Sequence, residues 1–311
     1  MTAAMSSAGP RMGAAEWALL TLHSVLWGSS YFFIDIARTE LPVLTITAFR
    51  LIPALAVMGL VLRAYRLRMP SETARWAPFV PLALFNNVGP TILIVLAQRE
   101  VTGGLAAVLN ATTPLFGVFL AHMLTADERL SGSKLAGILV GIAGVAIVVG
   151  PDALHGSAAG LIAKLSLLGA ALCYALAAIY ARRRFTGVAP LVVATGQIAC
   201  GLAISLPLAL IIDRSWTLPW PSLPATGAVL GMGIINSAFA AICYFSLVRR
   251  AGATNALLVT LLLPLTPIVL GNLVLGQTLA PREIWGAAVI SLALIVIDGR
   301  LWRWLARQWR P

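Results

Sequence analysis

Residues 103–125 read GGLAAVLNATTPLFGVFLAHMLT, a run of 23 residues with no Asp, Glu, Lys or Arg. About 20 apolar residues in a helix cross the roughly 30 Å hydrocarbon core of a bilayer, so this run is long enough to span one. It nevertheless carries a proline in its middle, Pro114. Shifted by 150 positions, Pro114-Leu115 falls on Pro264-Leu265, Asn86 on Asn236 and Arg99 on Arg249; after one small slip, Gly137 falls on Gly286 at a shift of 149. The chain therefore contains one unit twice.

Outward from this run, similar apolar stretches repeat along the whole chain. Ten are predicted as helices, at about 14–34, 43–63, 77–97, 103–125, 134–150, 158–181, 188–212, 225–247, 253–275 and 284–300. The expected fold is an all-α polytopic membrane protein with ten transmembrane helices. Residues 1–150 hold the first repeat (helices 1–5) and residues 151–311 the second (helices 6–10). Five is an odd number, so the second repeat starts on the opposite side and lies inverted to the first, an arrangement used by transporters.

Composition agrees with this. The chain is 59% hydrophobic and 11% charged, with mean hydropathy +0.92, which leaves little length for a soluble domain. The net charge of +11 is a topology signal and not a nucleic-acid footprint, because sixteen of the 22 basic residues cluster on one side of the predicted spans. They include the group from Arg63 to Arg75, Arg182 to Arg184, Arg249-Arg250 and the tail from Arg300 to Arg310. By the positive-inside rule both termini are cytoplasmic, and the expected location is a bacterial-type inner membrane. The first apolar stretch is too long for a signal peptide and lacks a small-residue cleavage site, so it is expected to remain as helix 1. Cys173, Cys200 and Cys243 all fall within spans and read as packing residues, not disulfide partners. After helix 10, Trp302, Leu305 and Trp309 recur at helical spacing away from Arg303, Arg307 and Arg310. This short basic tail reads as an amphipathic helix on the lipid surface or as a frayed end with interfacial tryptophans.

Several elements resemble the repeat of the EamA-type transporters of the drug/metabolite transporter superfamily. They are Val101-Thr102-Gly103-Gly104-Leu105-Ala106-Ala107, Thr113-Pro114-Leu115, Glu128-Arg129-Leu130, Gly137 and Gly144. The second copy has Ala251 to Ala256, Pro264-Leu265, Leu275-Gly276-Gln277 and Gly286, and helix 1 adds Trp27-Gly28-Ser29-Ser30. The resemblance implies a central cavity lined mainly by helices 1, 3, 4, 6, 8 and 9, alternating access, and amino acids, other metabolites or drugs as exported solutes. Two positions depart from the pattern: Asp35 stands where a basic residue is expected, and Gln277 replaces the glutamate equivalent to Glu128, which reads as local loss of a loop charge.

Candidate binding residues follow from polar and aromatic side chains inside spans. His23, Trp27, Ser30 and Tyr31 share one face of helix 1, either lining the cavity, with His23 able to carry a coupled proton, or packing against a neighbouring helix. Asn86 and Asn236 occupy repeated positions and suit a zwitterionic solute, or act as glue between helices. Asn110 and Thr113 in helix 4, Thr260 in helix 9, and Tyr174 and Tyr244 in helices 6 and 8 complete the set. Pro90, Pro114, Pro264 and Pro267 are expected at kinks or gating hinges. Arg50, deep in helix 2, either binds a solute carboxylate or, as the favoured reading, pairs with Asp35. Gly137 and Gly141 allow close helix contact, for internal packing or for a dimer; internal packing, and a monomer, is the simpler expectation.

None of the eleven carboxylates lies at the bilayer midplane, which argues against a cation-coupled multidrug exchanger. There is no phosphate-binding G-x-x-x-x-G-K-[ST] loop, no metal-ligand spacing among the three histidines, and no nucleophile with its base, so neither an enzyme nor a cofactor is expected. The favoured function is a secondary transporter or facilitator for a small neutral or zwitterionic metabolite, most simply an amino-acid exporter. Efflux of neutral or weakly charged drugs is the alternative, and a membrane-embedded enzyme the more remote one. The expected partners are the solute and membrane lipid.

Overall fold

The computed structural model describes residues 13–124, 132–150, 158–251 and 259–298, which form helices and connections with no strand. In chain order the helices are α1 (Ala14–Ala37), α2 (Val43–Ala64), α3 (Thr73–Ala97), α4 (Gly103–Leu124), α5 (Gly132–Val149), α6 (Ala158–Arg184), α7 (Pro190–Ile211), α8 (Leu223–Ala251), α9 (Val259–Leu275) and α10 (Pro281–Asp298). Seven of them, α1 to α4 and α6 to α8, are long and apolar enough to cross a membrane. The tail around Trp302, Leu305 and Trp309, the Glu128-Arg129-Leu130 element and residues 252–256 lie outside the described residues.

The helix ends follow local chemistry. At the start of α1 the Glu16 carboxylate accepts from the Gly13 amide at 2.9 Å, placing a negative charge at the positive end of the helix. Thr102 caps α4 by accepting from the Leu105 amide, and Ser222 caps α8 by accepting from Ala225. Gly276 closes α9 with φ +64°, a left-handed turn that a glycine adopts without a Cβ clash.

Among the described residues, α3 and α8, and α4 and α9, are interrupted at repeated positions. In α3 residues Leu84–Val88 form a π-helical turn immediately before Gly89-Pro90, and in α8 residues Met232–Phe239 do the same. There the amides of Gly89 and Ala240 reach back five residues, to the Leu84 and Ile235 carbonyls. In α4 the helix breaks after Asn110 and restarts at Thr113, so that Pro114 sits in a first turn where its missing N–H is not needed. In α9 the break falls after Leu262, Pro264 caps the second segment, and Pro267 lies in that segment's first turn.

Packing also comes in exchanged pairs. α1 lies against α8 and α9, as α6 lies against α3 and α4; α2 packs on α8 as α7 packs on α3; α2 meets α7, and α5 meets α10. The α5–α10 contact is close because both helices present glycine. A Cβ on Gly144 would stand 2.9 Å from the Ile290 nitrogen, and one on Gly286 3.0 Å from the Gly144 carbonyl. Around the outside, Leu60, Ile142, Ile211 and Leu273 are each more than half exposed. Such a broad apolar perimeter is unfavourable in water and natural in lipid.

Candidate functional site

At the centre of the bundle is a cavity of about 50 Å³ lined by Trp27, Ser30, Tyr31 and Ile34 of α1, Arg50 of α2, Thr91 and Ile94 of α3, Tyr174 of α6, and Met232 and Asn236 of α8. A water needs roughly 10–15 Å³ by such a measure, so the space holds several. Five of the eleven residues expected to bind solute meet here: Trp27, Ser30, Tyr31, Tyr174 and Asn236. They converge because α1 is threaded between α8 and α9, while α6 brings Tyr174 edge-on to Trp27, with ring centroids 6.2 Å apart.

The other six stand apart from the cavity wall. His23 is buried one turn before Trp27, sandwiched between Trp27 at 5.6 Å and Tyr244 at 5.4 Å, so an aromatic column continues from the cavity along α1. Asn86 turns toward α7, where its amide donates to Gln197 Oε1 at 2.9 Å. Asn110 is buried at the α4 break, and the Thr113 hydroxyl donates back to the Asn110 carbonyl at 2.7 Å. Thr260 lies in the short first segment of α9. Helices α4 and α9, which the family resemblance implies as lining, therefore back the cavity without lining it, whereas α2, outside that set, contributes Arg50.

The expected Asp35–Arg50 ion pair does not form. The buried Asp35 carboxylate instead accepts from Arg38 Nε at 3.0 Å, Gln98 Nε2 at 2.9 Å, the Gly103 amide at 3.0 Å and Gln277 Nε2 at 2.9 Å. This overturns the reading of Gln277 as a lost loop charge. A glutamate there would face Asp35 with a second negative charge, whereas the amide donates. The two departures from the family pattern are thus one contact, joining the ends of α1 and α9. At the same end of the bundle Asp213 accepts from the amide and hydroxyl of Thr45, tying α7 to α2. Glu40 accepts from the hydroxyl and amide of Ser222 at the start of α8. The Ser222 hydroxyl and then its amide hold the Glu40 carboxyl below its ordinary value of 4.5.

Arg50 sits where α2 is interrupted between Phe49 and Leu51. Its guanidinium donates through Nη1 to Ser237 Oγ at 3.3 Å, and through Nη2 to the Asn87 carbonyl at 3.2 Å and Thr91 Oγ1 at 2.5 Å. Asn87 and Ser237 are themselves 150 residues apart, one in each π-helical turn, so a single side chain bridges the two repeats. Sequence reasoning missed Thr91, although its place four residues after Asn87 puts both on one helix face. Asn236 Nδ2 donates to the Leu26 carbonyl and to Ser29 Oγ, the latter at 2.8 Å.

Several transporters are similar to this chain along nearly their full length. The uncharacterized inner membrane transporter YedA of Escherichia coli strain K12 is 28% identical over 284 residues, 90% of this chain and 89% of that one. A probable terminal-alkyne amino-acid exporter of Streptantibioticus cattleyicolor is 25% identical over 294 residues, 93% of this chain and 95% of its own. A protein of solved crystal structure superposes with a TM-score of 0.64 at 20% identity, covering 91% of this chain and 97% of that one, which shows a shared fold. The EamA-like transporter family matches residues 16–150 and again residues 161–298, and with both copies present the chain, an integral membrane protein, belongs to that family of transporters.

Proposed function

We propose that this transporter exports small zwitterionic amino acids across the inner membrane by alternating access around the central cavity. The observation that carries the reading is the cavity itself: aromatic walls from Trp27, Tyr31 and Tyr174 surround a few polar groups, midway along the bundle and between the two repeats. Sites that are mostly apolar with a few placed polar groups suit a small amphipathic solute. The amino-acid exporter among the relatives points the same way.

The ten helices act as ten spans in two inverted repeats. In support, Asp35 in the last turn of α1 touches Gln277 just past the end of α9; α10 starts nearby with Arg282 beside Gly150, and Gly150 closes α5 next to the start of α6. Equivalent helices α1 and α6 thus run in opposite directions. The arginine-rich end is cytoplasmic, together with both termini, and the Asp35 end is external. There the Asp35, Asp213 and Glu40 contacts tie together helices of both repeats, so the external gate is closed. The protein works as a monomer in lipid, since Gly137, Gly144 and Gly286 are occupied by the α5–α10 contact. No described carboxylate lines the cavity, which favours export driven by the solute gradient over proton exchange.

Counterflow of a panel of labelled amino acids into proteoliposomes tests this. Exchange of at least one small amino acid is expected. Efflux of lipophilic compounds with no amino-acid exchange removes the reading in favour of drug export. Acceleration by an imposed pH gradient, lost in His23→Gln, would instead make His23 a proton carrier.

A further inference from the structure

Two residues that line the cavity each keep one buried polar atom without a hydrogen-bond partner, a donor in Arg50 and an acceptor in Asn236. A guanidinium inside a membrane protein is costly to hold and is normally paired with a carboxylate. Arg50 has no such partner among the described residues: its three hydrogen bonds go to neutral oxygens, and the nearest expected anion, Asp35, is saturated by four donors. Its Nε is buried with no hydrogen-bond partner. A guanidinium offers five donors in a planar fork, and a carboxylate takes two of them side by side. Asn236, 9% exposed on the opposite repeat, presents the reverse. The Leu26 carbonyl can only accept, so it fixes Nδ2 as the donating end of the amide and leaves Oδ1 buried with no partner. Both residues line the same 50 Å³ space, with Trp27, Tyr31 and Tyr174 between them as apolar walls.

We propose that Arg50 and Asn236 form a two-pole site, Arg50 binding the carboxylate and Asn236 Oδ1 the ammonium of an α-amino acid, so that transport requires both groups free on the solute. This rests on the export reading above and assigns Arg50 a substrate-binding role in place of an ion pair. The neutral cradle of Asn87, Thr91 and Ser237 keeps the guanidinium charge uncompensated until solute arrives. Because Asn87 and Ser237 belong to the π-helical turns of opposite repeats, the anchor also touches both repeats.

Counterflow into proteoliposomes holding the full chain separates the possibilities, with four probes: an amino acid, its carboxamide, its N-acetyl derivative and the decarboxylated amine. In the wild type each derivative should exchange about 10-fold or more slowly than the amino acid, the cost of one unmatched charged hydrogen bond. Arg50→Gln should erase the preference over the carboxamide, Arg50→Lys should retain part of it, and Asn236→Ala should erase the preference over the N-acetyl form. Equal wild-type exchange of amino acid and carboxamide overturns the anchor and leaves amino-acid export standing; this comparison needs no variant to fold. Exchange of simple monocarboxylates without any amino acid overturns the Asn236 pole and the amino-acid reading together, and keeps Arg50 as anchor. Exchange of none of these solutes overturns both proposals.

Discussion

The π-helical turns of α3 and α8 stand 150 residues apart with an asparagine at the same position in each, and the two asparagines do different work. Asn236 faces α1, bonded to Leu26 and Ser29, and lines the cavity; Asn86 faces α7 and donates to Gln197. A similar contrast separates α2 from α7. At the shift of 147 that pairs Trp27 with Tyr174, Arg50 falls on Gln197, so a cation bridging both repeats corresponds to a neutral acceptor engaged with one neighbour. Duplication kept the backbone device in both halves and let the side chains diverge. A repeated residue type therefore does not carry a repeated role.

Paired substitutions put this contrast at risk. Asn236→Ala should lower counterflow about 10-fold, while Asn86→Ala stays within about twofold, because only the first faces the cavity. Similar losses in both would restore functional symmetry and undo the distinction. Next in size, Asp35→Asn removes a charged acceptor from four donors and should cost about 2 kcal/mol of stability, read as thermal unfolding in detergent micelles. The ranking of solutes should survive it, since Asp35 does not line the cavity; a changed ranking would merge the two regions. Asn86→Ala itself should cost about 0.6 kcal/mol by the same measurement, the usual worth of a polar contact between membrane helices, and Gln197→Leu should add little on top of it.

The smallest effect is a pH dependence at the exposed Glu40–Ser222 contact. A carboxyl held below its ordinary value favours the folded contact at pH above that value, and the contribution disappears as pH falls through the lowered one. The Glu40–Ser222 contact should thus weaken slightly between neutral pH and acid below 4.5. Accessibility of a cysteine placed at the neighbouring Pro221, which leaves the Ser222 hydroxyl in place, should follow this change, and in a Glu40→Gln background should show none; an identical acid response there would rule Glu40 out as its source.

Much of this organisation is readable from residues alone. Apolar runs of spanning length bounded by arginines mark the helices, because hydrocarbon tolerates neither charge nor unpaired backbone groups. Pro114 and Pro264 mark interruptions for the same reason that proline lacks an amide hydrogen. Trp27, Ser30 and Tyr31 can be placed on one face from their spacing, and Tyr174 follows from the repeat. What spacing cannot supply is the rotation of one helix against another. Asn86 and Asn87 are adjacent, yet the first turns to α7 and only the second reaches Arg50, through its carbonyl. Nor does sequence distance show that Asp35 and Gln277, 242 residues apart, share a hydrogen bond.

By itself, then, the sequence determined that this is a duplicated membrane protein of helical spans, since period, length and charge placement are properties of each segment taken alone. Only the tertiary structure decided which polar groups find partners. Arg50 is left beside the cavity with its buried Nε unpartnered because α1 carries the Asp35 carboxylate to the end of the bundle, where four other donors bind it.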